Sequence, residues 1–206
     1  MIEVRYTGRG VHRAPRLLGA AAGLSLLLWT SGLSEFALSP APPSTGTRES
    51  TCPMPAQAFA AEISAVSRDI GRRFHLARSA AVGITAAAFS AAQARGIDPT
   101  LVLAVAAVES KFRARAVNSA TGAAGLMQVV SKWHQDKVLH VGGEPSLLLV
   151  GPNIDVGAAI IADYLTAEHG NVQDALARYL GTAGADRYVN RVRLEMAHLT
   201  SLLGTI

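Results

Sequence analysis

One glutamate, Glu109, directly follows a long apolar run in the sequence. Every residue from Leu101 to Val108 is apolar. Apolar neighbours weaken the hydration of a carboxylate, which raises the pKa of the carboxyl group. A carboxylic acid that keeps its proton near neutral pH can act as a general acid. Glu109 is therefore the candidate catalytic residue, although a glutamate near a helix end is more often a solvated surface charge.

A loop of small residues follows this glutamate. Residues 118–125 read Asn-Ser-Ala-Thr-Gly-Ala-Ala-Gly. Small side chains allow the backbone or a sugar of another molecule to approach closely. After the loop, the apolar character of Leu126-Met127-Gln128 predicts the start of another helix.

The composition predicts that these residues are carried by helices. The chain has 206 residues, of which half are hydrophobic and 37 are alanine. Alanine has the best helix propensity and a poor strand propensity. The proportion of hydrophobic residues also excludes a disordered polar chain. We expect a mostly helical body without internal repeats.

The helix that carries Glu109 has a well-defined start. Asp98 can cap free amide groups, and Pro99 suits the first turn, where no donor is needed. Apolar periodicity and turn residues predict further helices at 56–74, 78–95, from an Asn153 cap to Gly170, from Asn171 to Tyr179, and at 186–203.

The amino terminus is typical of an exported protein. Arg5, Arg9, Arg13 and Arg16 precede an uncharged apolar stretch at 17–34. This pattern predicts a signal peptide or an inner-membrane anchor at residues 1–39, with the remainder in the periplasm. A Pro, Ser and Thr-rich linker at 40–55 follows, and the catalytic body is predicted at 56–206.

Several other classes of protein are disfavoured. Cys52 is the only cysteine, so neither an intramolecular disulfide nor a cysteine metal cluster is expected. His134 and His140 do not have the spacing of a helical zinc site, and no nucleotide-type glycine loop occurs. The net charge of +4 is not gathered into a basic helix with aromatic residues, so we expect no nucleic-acid partner. No cofactor or metal is predicted.

Motifs spread over the last 110 or so residues resemble those of the lytic transglycosylases with the soluble-lytic-transglycosylase (SLT) domain. The matching pieces are Glu109-Ser110-x-Phe112, Ala116-Val117, Gly122-Ala123-x-Gly125-Leu126-Met127-Gln128-Val129, Asn153-Ile154 with Gly157, Ala175-Leu176-Ala177-x-Tyr179, and Tyr188-Val189. The glutamate-serine pair together with Gly-Leu-Met-Gln is the specific part. The resemblance implies a mainly helical, lysozyme-like domain of the goose type, with a small irregular or β element after the Glu109 helix.

The resemblance also implies a substrate and a role for each site residue. The substrate would be peptidoglycan glycan strands, cut between N-acetylmuramic acid and N-acetylglucosamine to leave a 1,6-anhydro end. Glu109 would be the sole catalytic acid and base. Supporting roles would fall to Ser110, which orients Glu109 or the acetamido group, to Met127 and Gln128, which line the sugar groove, to Asn153, which fixes a loop or holds substrate, and to Tyr179, which hydrogen-bonds the glutamate.

Two departures from the family pattern leave alternatives open. The family usually has asparagine after the tyrosine, where this chain has Leu180 within Tyr179-Leu180-Gly181-Thr182, and it places proline and threonine where this chain has Val130-Ser131-Lys132-Trp133. Trp133 is a candidate for stacking on a sugar, but burial in the core is the commoner fate of a tryptophan near an apolar helix.

Two other functions are therefore considered. A hydrolytic muramidase would need a second carboxylate, such as Asp136, Glu144 or Asp155. A catalytically impaired wall-binding component would keep the fold without turnover. Single-domain exported members of the family often serve secretion or conjugation machines, which suggests such an apparatus as a partner.

Overall fold

The computed structural model describes residues 55–181 and 185–204. The predicted leader, Cys52, nearly all of the predicted linker and Thr182 lie outside these residues. The described part contains seven α-helices, which confirms the predicted mainly helical fold. They are α1 Pro55–Arg73, α2 Arg78–Gln93, α3 Pro99–Ser110, α4 Gln135–His140, α5 Val150–Ala167, α6 Val172–Leu180 and α7 Ala185–Leu203. Within these residues, no helix has the length and apolar content needed to cross a membrane.

Helix α3 forms the centre of the domain. Asp98 caps it by accepting a hydrogen bond from the Thr100 amide at 2.7 Å, and Pro99 occupies its first turn, as predicted. Nine of its twelve residues are buried, because α2, α5 and α7 pack around it. The helix ends at once after Glu109 and Ser110, where Lys111 and Phe112 adopt left-handed backbone conformations with φ of 54° and 58°. This sharp ending places Glu109 at the edge of the apolar core.

A small antiparallel sheet follows α3, as the predicted β element. Its strands are β1 Val117–Asn118, β2 Ala123–Ala124 and β3 Val129–Val130, in the order β1-β2-β3. In the register, Val117 pairs with Ala124, and Ala124 pairs in turn with Val129. The sheet spans the small-residue loop, so the loop is a hairpin and not an open connection.

The predicted helix at Leu126-Met127-Gln128 is wrong. These residues form a turn that leads into β3, and Gln128 has a positive φ of 49°. The turn is fixed from outside, because the Met127 amide donates to the Asn153 side chain at 2.8 Å. An amide engaged in this way does not donate to the backbone of a helix.

The predicted cap of α5 is also wrong. The helix begins at Val150, and Asn153 lies inside its first turn with its side chain fully buried. The Asn153 side chain therefore accepts the hydrogen bond of the Met127 amide and does not cap its own helix. By contrast, Asn171 caps α6 as predicted, because its side-chain oxygen accepts from the Gln173 and Asp174 amides.

A cluster of charged residues joins the first described helix to the last. Arg73 on α1 donates to both carboxylate oxygens of Glu195 on α7, at 2.6 and 2.8 Å. Asp69, which is buried, contacts Arg73 at 3.3 Å and the His198 ring at 2.9 Å. Planar two-point pairing of this kind fixes orientation as well as distance. The cluster therefore holds α7 in the position from which it reaches α3.

Candidate active site

The carboxyl group of Glu109 lies at the carboxyl end of α3 and is half-buried. Burial raises the pKa of Glu109 above its ordinary value, while the hydrogen bond from Tyr188 and the positive charge of Arg191 act in the opposite direction. Burial is the larger effect, because the apolar residues of α3 and its neighbours take the place of water around the carboxylate. The site thus holds an acid that keeps its proton at a higher pH than an exposed glutamate does.

Tyr188 is the hydrogen-bond partner of this acid. Its hydroxyl, on α7, donates to Glu109 Oε1 at 2.8 Å, and only 7% of the residue is exposed. Burial, reinforced by the charge of Glu109, raises the pKa of Tyr188, so its hydroxyl stays protonated and remains a donor. Tyr188 lies in one of the pieces that match the family motifs, but the resemblance implied no role for it. Its spacing in the sequence could have indicated a buried tyrosine, because Tyr188, Val189 and Val192 lie on one face of α7 and all three are buried.

The prediction that Tyr179 bonds to Glu109 is wrong. The Tyr179 hydroxyl donates instead to the Met127 carbonyl at 2.7 Å. Burial, and after it the charge of Glu109, raise the pKa of Tyr179 well above its ordinary value, so the hydroxyl stays protonated and remains a donor. The two tyrosines therefore have different hydrogen-bond partners. Tyr188 binds the carboxyl group of Glu109, and Tyr179 binds the turn at Met127.

Asn153 fixes the turn after the hairpin, which is one of its two predicted roles. Its side chain accepts from the Met127 amide at 2.8 Å and donates to the carbonyls of Ala124 and Leu147, both at 2.9 Å. A fully buried amide with these three bonds has no atom left for a substrate. The other predicted role, holding substrate, does not fit this geometry.

The side chains of Met127, predicted to line the sugar groove, and of Ser110, predicted to orient Glu109 or the acetamido group, are both buried. The Met127 side chain is 0% exposed, and it packs so closely on Gly157 that a Cβ added there would lie 2.3 Å from the sulfur atom. The Ser110 hydroxyl is buried and donates to the Ala106 carbonyl of its own helix at 3.2 Å. Both are therefore packing residues beneath the site. Their predicted roles failed because a motif gives the position of a residue and not the direction of its side chain.

A cleft of about 460 Å³ lies beside the acid and contains two of the predicted residues, Gln128 and Tyr179. Gln128 is partly exposed and is anchored by its side-chain nitrogen to the carbonyls of Gly125 and Ala116. Glu109 is not among the residues that line this cleft, but Tyr179, whose pKa the charge of Glu109 raises, is one of them. The other lining residues include Thr121, Lys132, Trp133, Tyr164, Arg178 and Leu180.

Trp133 is exposed and not part of the core, contrary to the commoner expectation. It is 72% exposed, and the Lys132 ammonium lies 4.9 Å from the centre of its ring. A large aromatic side chain at the mouth of a cleft offers a flat apolar surface on which a sugar can stack. The departure from the family pattern at residues 130–133 therefore changes the lining of the cleft.

The carboxylates named for a hydrolytic mechanism lie elsewhere. Asp155 pairs with Arg95 at 2.7 Å, Asp136 pairs with Lys137 at 3.2 Å, and Glu144 begins a short 3-10 turn. None of the three lines the cleft next to Tyr179. Over residues 55–181 and 185–204, no group of three metal-binding side chains converges either.

Replacing Tyr188 by phenylalanine should slow turnover and shift its pH dependence. Tyr188→Phe removes one hydrogen bond to a charged group, which corresponds to a loss of about ten- to a hundredfold in rate. Because that bond lowers the pKa of Glu109, its loss should move the basic limb of the rate profile to higher pH. The measurement is muropeptide release from peptidoglycan sacculi as a function of pH.

Tyr179→Phe is the matched control for this experiment. It leaves the Met127 carbonyl without its donor, so we expect unfolding to become easier by about 1–3 kcal/mol. The pH profile per folded molecule should stay in place. A shifted profile in Tyr179→Phe with an unshifted one in Tyr188→Phe would reverse the roles assigned to the two tyrosines.

The raised pKa of Glu109 also makes stability depend on pH. The folded state holds the proton more tightly than the unfolded chain, so the ionised carboxylate costs stability at pH values above the folded pKa. That cost disappears as the pH falls below the unfolded value of about 4.3. Glu109→Gln should therefore melt at a higher temperature than the parent at pH 8, and the difference should shrink toward pH 4. Thermal unfolding across this range checks it, and a constant difference would contradict it.

Comparison with known proteins places this site within a described domain. The family model of the Transglycosylase SLT domain matches residues 86–197, which is more than half of the chain. A solved structure, an inactive mutant of the lytic transglycosylase Slt from Pseudomonas aeruginosa, is similar over 72% of this chain at 23% sequence identity and a TM-score of 0.46. The alignment covers 26% of that longer chain.

Proposed function

The chain belongs to the Transglycosylase SLT domain family, and on that premise we propose that it is a peptidoglycan lytic transglycosylase. It would cleave the β-1,4 bond between N-acetylmuramic acid and N-acetylglucosamine without water and leave a 1,6-anhydro end. The observation that supports this most directly is the environment of Glu109. The residue is half-buried, and this burial raises the pKa of its carboxyl group. Its Oε1 atom accepts a hydrogen bond from the Tyr188 hydroxyl at 2.8 Å.

In the proposed reaction, Glu109 acts twice. As an acid it gives its proton to the glycosidic oxygen, the bond from that oxygen to the anomeric carbon breaks, and N-acetylglucosamine leaves with a free 4-hydroxyl. The acetamido group of the muramic acid stabilises the positive centre that remains. As a carboxylate, Glu109 then removes the proton of the 6-hydroxyl, whose oxygen closes on the anomeric carbon. The glutamate ends protonated and ready for another cycle.

The bond from Tyr188 fits both halves of this cycle. A donor to Oε1 stabilises the carboxylate after the first step, and it leaves Oε2 to carry the proton. Because burial raises the pKa of Tyr188, the tyrosine does not compete as an acid. We assign it the role of a positioning residue that selects which oxygen faces the substrate.

The pairing of the other carboxylates supports a single-carboxylate mechanism over the hydrolytic alternative. A hydrolytic muramidase needs a second carboxylate to act as nucleophile or to activate water. Of the three carboxylates named for that role, Asp155 is paired with Arg95 and Asp136 with Lys137, while Glu144 begins a 3-10 turn. We therefore favour the lyase with one acid and base.

The identity of the product tests the proposal. Purified protein should release muropeptides from sacculi, and mass spectrometry should find each product one water lighter than the hydrolytic species. Products of hydrolytic mass would support the muramidase instead. Binding to sacculi without any release would support the wall-binding component of a secretion or conjugation apparatus.

We further propose that the protein is exported to the periplasm and that residues 17–34 serve as a signal peptide or as an inner-membrane anchor. Support comes from the four arginines before the apolar stretch, which set its orientation. A fusion of residues 1–55 to a reporter that is active only outside the cytoplasm should give signal. A well-expressed but silent fusion would contradict export.

A further inference from the structure

A groove separate from the catalytic cleft runs between α1 and α2. Its volume is about 670 Å³, larger than that of the cleft beside Glu109. The apolar lining is Ala60 and Ile63 on α1, Leu76 in the connection, and Val82 on α2, which is 39% exposed. At Gly71 an added Cβ would lie 3.5 Å from the Ala81 Cβ, so the two helices approach each other closely there. The groove therefore has a largely apolar lining between two helices, to which Ser64 and the buried Ser67 of α1 add polar groups.

Three arginines also line the groove. Arg68 and Arg72 lie on α1 at one wall, and Arg78 lies at the start of α2 on the other. All three are exposed, and no aspartate or glutamate of the described residues forms an ion pair with any of them. Arg73, the neighbour of Arg72, is paired with Glu195 instead. Arg68 donates a hydrogen bond to the Ser64 hydroxyl at 2.9 Å. The groove thus combines a largely apolar lining with arginines on both helices.

The position of the groove separates it from the glycan-cleaving site. The residues that line it fall between positions 60 and 82, whereas the family model matches residues 86–197. The groove and the catalytic cleft have no lining residue in common. The groove is therefore a feature of the part of this chain that precedes the family domain, and a function for it does not follow from glycan cleavage.

We propose that this groove binds an acidic amphipathic helix of a partner protein. Apolar side chains of that helix would pack on Ile63, Leu76 and Val82, and its aspartates or glutamates would face the three arginines. A helix fits better than an extended strand, because only helices and their short connection line the groove and no strand edge offers backbone hydrogen bonds. A concave groove also suits a single inserted helix better than the flat surface of a bilayer.

The test begins by selecting binders from a phage-displayed library of random 16-residue peptides on the full-length protein in zwitterionic detergent. We expect the enriched sequences to combine apolar residues at i, i+3, i+4 and i+7 with flanking aspartate or glutamate. A fluorescent synthetic copy of the best binder then serves as the probe in anisotropy titrations. Enrichment of neutral or basic peptides would overturn the proposal.

Matched variants locate the binding. Arg72→Glu combined with Arg78→Glu should raise the Kd at least tenfold, and Val82→Asn should raise it severalfold with both arginines intact. The control is Arg115→Glu combined with Arg193→Glu, which makes the same charge change at exposed positions outside the groove and should leave the Kd within twofold. Unchanged melting temperatures and muropeptide release would show that the variants are folded. Equal binding by the parent and the Arg72/Arg78 variant would overturn the proposal.

Two further measurements distinguish other occupants. Sedimentation with phosphatidylcholine vesicles, with and without phosphatidylglycerol, tests a membrane surface. Sedimentation velocity over a range of protein concentrations tests a second copy of the chain. Vesicle binding or self-association that the Arg72/Arg78 variant loses, without any acidic peptide binder, would assign the groove to the membrane or to the second copy and overturn the peptide assignment.

Discussion

Glu109→Gln is expected to abolish muropeptide release while the protein stays folded. The amide keeps the shape of the side chain and can still accept the hydrogen bond from Tyr188, but it has no proton to transfer. General acid–base catalysis contributes about 100- to 10,000-fold, and one residue serves both proton transfers here. The rate should fall by at least the lower of these factors. The measurement is the rate of anhydro-product formation from purified sacculi.

Glu144→Gln provides the matched control for this loss. It makes the same chemical change at an exposed glutamate that does not line the cleft. Its rate should equal that of the parent. If Glu109→Gln kept activity within tenfold of the parent, the catalytic role would belong to another carboxylate and the single-acid mechanism would be wrong.

Asn153→Leu is expected to cause the largest loss of stability. Leucine has a similar size but leaves the Met127 amide and the carbonyls of Ala124 and Leu147 without partners. Each unpaired buried group costs about 1–3 kcal/mol, so the free energy of unfolding should fall by about 3 kcal/mol or more. Urea unfolding followed by circular dichroism measures it.

Asn190→Leu is the comparison for this variant, because Asn190 is exposed on α7. Its free energy of unfolding should stay within about 0.5 kcal/mol of the parent. Similar small losses in both variants would mean that the three bonds of Asn153 do not hold the turn. Gly125→Ala should resemble Asn153→Leu, since its added Cβ would lie 2.1 Å from both the Asn153 side-chain nitrogen and the Leu147 carbonyl oxygen.

The sequence was sufficient to predict those helix starts that depend on residues close together along the chain. Asp98 and Pro99 mark the start of α3 through a cap and a first-turn proline, and Asn171 marks the start of α6 in the same way. The environment of Glu109 was also predictable, because the apolar residues that desolvate it precede it in the same helix. These features depend on neighbours within a few positions along the chain.

Features that depend on distant partners could not be predicted. Asn153 looked like a helix cap, but its side chain is bound to a turn 26 residues earlier in the chain. Tyr179 and Tyr188 both lie in motifs that match the family. Which of their hydroxyls binds the carboxyl group of Glu109 depends on how α6 and α7 pack. The burial of Met127 follows in the same way from the position of α5, where Gly157 packs against it, and no local pattern contains that position.

Because the Glu109 site is formed by contact between α3 and α7, it can form only after the last described helix has been synthesised. Glu109 is made early in the body of the protein, but Tyr188, which holds it, belongs to the last described helix. Until that helix has been made and has packed, the face of α3 that it covers stays exposed and the carboxyl group lacks its hydrogen-bond partner. We therefore expect a nascent chain, or one clipped before α7, to lack the proposed glycan-cleaving activity, which would appear only after the whole domain has folded.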